Sequence, residues 1–265
     1  MNKEQSAKKL AYWRYQYRLG KEYLLPLLKE WGFSAKDTLV IDLGCAEAGI
    51  LCAFVEEGAN GIGLEISHSR LVLARKFAAP RHLQKLHFIT ADIFHPPLSE
   101  KAPKADLLLL RDVFEHLPDK RYALRIFRDL LGESSKLLIT FPPFYAPFGG
   151  HQQLLQSFLG KLPYFHIVPA FLWCIFRWWI IRYDKNPAIL PELERIRRFR
   201  TTIGGFKKIV REQGFRIASS AFYISRPSYK LRFGWPVIGA NWLGRIPFVR
   251  EFLISGAFFL LEKNT

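Results

Sequence analysis

Four acidic positions recur through the first half of the chain, each closing a short apolar run. Asp42 follows Val40 and Ile41, Glu65 follows Ile62 and Leu64, and Asp92 follows Phe88 and Ile89. A polar group of Arg111, Asp112, Glu115 and His116 follows four consecutive leucines. Uninterrupted, partly β-branched runs of this length read as strands buried on both faces. After the first comes a turn at Gly44 and then a helix whose apolar face is Leu51, Cys52, Phe54 and Val55. A strand, glycine turn and helix place a ligand at the carboxyl end of the strand. Gly44 lets backbone approach that ligand closely, and the N–H groups opening the helix can receive a carboxylate. Glu65, about twenty residues on, is positioned to accept both hydroxyls of a ribose, and Asp92 to accept an adenine amino group. A glycine turn alone does not separate nicotinamide, flavin and other nucleotide ligands; the ordered series of acids narrows the choice.

That series, Asp42-Leu-Gly-Cys45 with Gly49, an acid after the second strand, Ala91-Asp92 after the third and Asp112-Val with Glu115-His-Leu117 after the fourth, resembles the class I S-adenosylmethionine-dependent methyltransferases. Within them it is similar to the broad group that includes the ubiquinone-biosynthesis O-methyltransferases. The resemblance is close over residues 40–140 and looser over 202–222. It implies S-adenosyl-L-methionine as cofactor and an α/β fold: a Rossmann-like, seven-stranded, mostly parallel sheet with an antiparallel edge strand. It further implies cofactor contacts from Asp42, Gly44, Cys45, Ala46, Glu65, Ile66, Asp92, Ile93 and Arg111. The glycine loop departs from the pattern, with Glu47 and Ala48 where many relatives carry another glycine. In the family a leading helix covers the cofactor, and residues 10–31 are amphipathic, ending at Gly32. Arg14 or Arg18 then either pairs with the methionyl carboxylate or lies exposed.

Methyl transfer requires an in-line nucleophile, held close and partly dehydrated, and often a base for its proton. His116 and His151 are the candidates, because the fourth strand and the loop after the fifth should bring both to one cleft; the alternative for His116, at a helix start, is a structural hydrogen bond. If residues 112–116 turn helical, Asp112, Glu115 and His116 share a face at i, i+3 and i+4. This is similar to the E-x-x-E-H metal site of the ubiquinone group, where a divalent ion lowers the pKa of a hydroxyl. Many relatives with E-H-L need no ion, and none is expected here.

At 265 residues the chain suits a single domain. Residues 1–36 hold the leading helix, 37–145 the cofactor-binding half, 146–200 an insertion or lid, and 201–265 the C-terminal half. A helix is expected from Leu117 to Leu131, stopped by Gly132, with strand five over 136–141 and a rigid Pro-Gly loop over 142–152. A last large helix spans 202–213. Two closing strands, 215–225 and 254–262, flank a long irregular connection rich in Gly, Pro, Trp and Arg.

Three cysteines, an odd number without metal spacing, and a start lacking an apolar signal core lead to the expectation of a cytoplasmic protein. The net charge of +16 admits nucleic acid, an anionic membrane surface or an anionic substrate. Its late arginines stand beside the aromatic insertion at 162–181, whose apolar run is too short to span a bilayer. That insertion fits a peripheral anchor on the inner face of a membrane, a lid or a dimer face. The functional expectation is a methyltransferase acting on a hydroxyl or amine of an amphipathic small molecule or lipid-linked substrate. The alternatives are an RNA methyltransferase, supported by charge alone with no RNA-binding motif, and a non-catalytic membrane-associated scaffold. The oligomeric state is left open.

Overall fold

The computed structural model describes residues 3–81, 83–97 and 102–264. Five parallel strands, β1 (Leu39–Leu43), β2 (Asn60–Glu65), β3 (Leu86–Thr90), β4 (Ala105–Arg111) and β5 (Leu131–Phe141), lie in the spatial order β3-β2-β1-β4-β5. The late strands are β6 (Phe215–Ser225), β7 (Ile238–Gly239) and β8 (Gly256–Lys263), and the sheet continues β5-β8-β6-β7. β8 runs antiparallel to both β5 and β6, its Ala-Phe-Phe-Leu-Leu run fully buried, as a strand inside the sheet demands. The sheet therefore has eight strands rather than seven. The extra one, β7, is two exposed residues antiparallel to β6 at the edge, too short for any periodicity to reveal.

The connection expected to be irregular also holds α9 (Pro227–Phe233) and α10 (Val249–Leu253). Pro227 opens α9 at a position where its missing N–H has no partner to lose. Helices α3 (Gly49–Glu56), α4 (His68–Ala78), α5 (Lys120–Leu130) and α8 (Ile203–Glu212) complete the α/β unit, and two apolar clusters fill the two faces of the sheet. Asp119 caps α5 by accepting from Tyr122 N at 2.8 Å. Gly132 does not stop that helix. It sits in the irregular start of β5, where its N–H donates to Ser135 Oγ.

The leading helix starts earlier and is interrupted. α1 (Lys3–Leu19) passes through one π turn (Gly20–Leu24) into α2 (Leu25–Glu30). Pro26 has no N–H for the ladder, and the wider turn lets Leu25 N donate to Gly20 O instead. α1 lies tightly on the start of α3: a Cβ on Gly49 would stand 2.4 Å from Trp13 O. Gly49 thus serves helix contact, which fixes α1 over the turn after β1.

The insertion forms α6 (Ala170–Tyr183) and α7 (Leu190–Phe199), with a satellite core of Leu155, Leu159, Phe165, Trp173, Ile180, Leu190 and Leu193. α6 is apolar on both sides. Trp173 and Ile180 face that core, whereas Phe171, Ile175, Trp178 and Ile181 are 55–70% exposed. No helix among the described residues is long and apolar enough to cross a membrane.

Candidate active site

Strand ends and two covering pieces meet around one cavity of about 680 Å³. Asp42, Gly44, Cys45, Ala46, Glu65, Ile66, Asp92, Ile93, Arg111, His116 and His151 all line it, so the cofactor candidates and both histidines converge on one place. Gly44 has φ +79°, and a Cβ there would lie 2.8 Å from Val113. Ala46 and Ala48 adopt the same left-handed region, at φ 55° and 59°, in which alanine is strained. The loop keeps a glycine-like path without glycine. Glu47, fully buried, holds it in place through Lys9 of α1 and Arg70 of α4, each at 2.9 Å.

Glu65 is buried. Its Oε2 accepts from Ala46 N at 2.9 Å and its Oε1 from Ser67 N at 3.0 Å, and each oxygen retains a lone pair toward the cavity for a ribose hydroxyl. Asp92 accepts from Phe94 N through Oδ1, leaving Oδ2 for an amino group. Ile66, 69% exposed yet lining the cavity, offers an apolar surface with Ile93 and Phe94 for a flat base. These donor sets and this shape fit S-adenosylmethionine.

Asp42 is buried, and burial raises its carboxyl to about 7, with Arg111 opposing. The cofactor brings a sulfonium and an ammonium, which favour the charged carboxylate. Cofactor affinity is therefore expected to fall as pH drops below about 7, by at most about tenfold per unit, and to level off above it, and Asp42→Asn should flatten that slope in a calorimetric pH series.

The leading helix supplies Tyr12, Tyr15 and Gln16, while both of its candidate arginines take the exposed alternative, Arg14 in solvent and Arg18 paired with Glu22. Their i, i+3, i+4 spacing was the available signal. Asp112 takes φ 51° and is clasped by Arg111 at 2.8 Å and Arg226 at 3.1 Å. Both guanidiniums hold its carboxyl below the usual range although burial works to raise it. Arg226, buried after β6, had no signal in the sequence.

Asp112 is thus committed, and residues 114–116 form a 3-10 turn, so the proposed i, i+3, i+4 face does not exist. His151 takes its place. Ligand atoms of Glu115, His116 and His151 lie within 4.8 Å of one another. Glu115 is 2% exposed with neither oxygen hydrogen bonded; His151 Nε2 is 3.5 Å away and His116 Nε2 3.9 Å. His151 Nδ1 faces Glu192 Oε1 of α7 at 3.2 Å. Burial works to lower the His151 pKa, but the two flanking carboxylates prevail and lift it to about 9. Burial lowers that of His116, so its ring is neutral at pH 7.

Residues 34–162 match a family model described as a methyltransferase domain. Solved structures share the fold over nearly the whole chain. A protein described as a sarcosine dimethylglycine methyltransferase of Galdieria sulphuraria is 14% identical, with TM-score 0.58, covering 92% of this chain and 85% of that one. Magnesium protoporphyrin IX methyltransferase of Synechocystis, solved with S-adenosylhomocysteine, is 15% identical, with TM-score 0.56 and coverage of 100% and 88%. Burkholderia thailandensis 1,6-didemethyltoxoflavin-N1-methyltransferase, solved with its acceptor and S-adenosylhomocysteine, is 12% identical, with TM-score 0.53 and coverage of 94% and 79%. The family model identifies residues 34–162 as a methyltransferase domain, and the sheet order and cavity residues agree with the class I S-adenosylmethionine-dependent fold. The matched domain makes it an enzyme, and the cavity described above fits S-adenosylmethionine.

Proposed function

We propose that this methyltransferase acts on a hydroxyl or amine of an amphipathic small molecule or lipid-linked substrate, with His116 as base. The observation that carries the chemistry is a pair of histidines at the end of the cavity, His151 buried and His116 half-buried, of which His116 is the less engaged by carboxylates. Both nitrogens of His151 face carboxylates, which fix its ring, whereas His116 borders the cavity as a neutral imidazole. When bound, the cofactor supplies a methyl group already electrophilic through its sulfonium. Glu65 and Asp92 hold the nucleoside, and Arg111, Arg226 and Arg232 around Tyr15 hold the methionyl carboxylate. α1 and the insertion exclude water from the reacting atoms. Small-molecule acceptors in the structural neighbours, a porphyrin and a toxoflavin precursor, support an acceptor of that class.

A second reading has its own observation. A buried carboxylate without hydrogen bonds beside two imidazoles suits a divalent cation, which Glu115, His116 and His151 would hold and which would acidify an acceptor hydroxyl.

The amphipathic acceptor rests on α6. Its outward stripe of Phe171, Ile175, Trp178 and Ile181 has Arg177, Arg182 and Lys185 beside it, suited to an interface rich in anionic lipid. The same insertion delivers His151, Leu154, Glu192 and Arg195 to the cavity. The protein should float with anionic vesicles. Salt should weaken binding, at about 1 kcal/mol for each basic residue reaching the surface, without abolishing it, and Ile175→Ser with Trp178→Ser should remove the salt-resistant part. Wild type that stays unbound at low salt would remove the support for a lipid-linked acceptor.

A further inference from the structure

Glu192 and Arg195 stand three residues apart on one face of α7, and both line the main cavity near its histidine end. Glu192 is engaged by His151. A second groove of about 610 Å³ shares His116, Pro118 and Arg195 with that cavity and adds Pro191, Glu194, Arg198 and Phe199. Glu194, the acid of this groove, is paired with Arg177 at 2.9 Å. Among the described residues neither Arg195 nor Arg198 has a carboxylate within ion-pair distance, and Arg198 lies over the Phe199 ring at 6.0 Å. Two exposed guanidiniums with no carboxylate in ion-pair distance therefore border a groove that shares residues with the place where the acceptor must sit. The methionyl carboxylate does not account for them, since Arg111, Arg226 and Arg232 gather instead around Tyr15.

We propose that the methyl acceptor is an anion, and that its phosphate or carboxylate is held by Arg195 and Arg198 in this groove while its reacting atom lies at His116. The proposal rests on the methyl-transfer reading above and names the class of acceptor within it. Guanidinium groups suit planar or tetrahedral oxyanions through paired N–H donors. The cofactor's sulfonium adds positive charge at the same end, so an anionic acceptor is drawn in and a cationic one repelled.

The full-length protein saturated with S-adenosylhomocysteine is titrated calorimetrically, at fixed ionic strength, with inorganic pyrophosphate and separately with tricarballylate. Saturable binding of either is expected, and the arm that binds distinguishes phosphate from carboxylate. Arg195→Gln and Arg198→Gln should each weaken it by about fivefold or more, as expected for loss of a charge-assisted contact, with Arg14→Gln, an exposed arginine of α1, as the control that leaves it unchanged. No saturable binding of either anion, or equal weakening in the control, overturns the proposal. S-adenosylhomocysteine affinity separates the two levels: its absence in wild type would overturn the underlying reading as well, whereas intact affinity without anion binding overturns this proposal alone.

Discussion

His116→Ala is expected to slow methyl transfer by about two to four orders of magnitude, the usual contribution of a positioned base, while cofactor affinity stays close to wild type. The base must be neutral to accept a proton. Because burial lowers the pKa of His116, turnover should be flat near neutrality and fall only as pH drops below the ordinary histidine value of 6.5. His151 enters differently. Its imidazolium lies between Glu115 and Glu192, so His151→Gln should loosen the alignment and leave the buried Glu115 carboxylate unpaired, at about 1–3 kcal/mol. Added chelator separates base from cation. With His116 as base, turnover survives chelation; with a cation at Glu115, His116 and His151, chelation abolishes turnover and added magnesium or zinc restores it.

The cofactor half was legible because one physical rule repeats there. Each buried parallel strand is an apolar run with a polar residue at its carboxyl end, so the strand ends at Asp42, Glu65, Asp92 and Arg111 could be read from the runs, while their cofactor roles came from the family resemblance. What escaped depended on contacts distant in sequence. Arg226 lies 114 residues from the aspartate it clasps, and that pairing removes Asp112 from the metal-like group. His151 reaches Glu192 across 41 residues. The insertion misled for another reason. α6 is apolar all round, so no pattern could say which tryptophans face inward; Trp173 is buried, Trp179 half-buried and Trp178 exposed. Glu47 and Ala48 depart from the glycine pattern, and a buried carboxylate anchored by two cations holds the strained path.

Glu65 carries the largest expected effect on binding. Its two oxygens order the loop through Ala46 N and Ser67 N, and in the proposed binding mode ribose hydroxyls would add charge-assisted bonds in a buried setting. Removing them with Glu65→Ala should weaken S-adenosylmethionine by about 1.5–3 kcal/mol, or roughly ten- to a hundred-fold. Glu65→Gln keeps the size and one acceptor oxygen, and should lie between. Calorimetric titration of S-adenosylmethionine and S-adenosylhomocysteine into wild type and these two variants tests the account most directly. It predicts saturable one-site binding of both by wild type, graded from wild type through Glu65→Gln to Glu65→Ala. Wild type without affinity for either ligand, or Glu65→Ala binding as tightly as wild type, would contradict it.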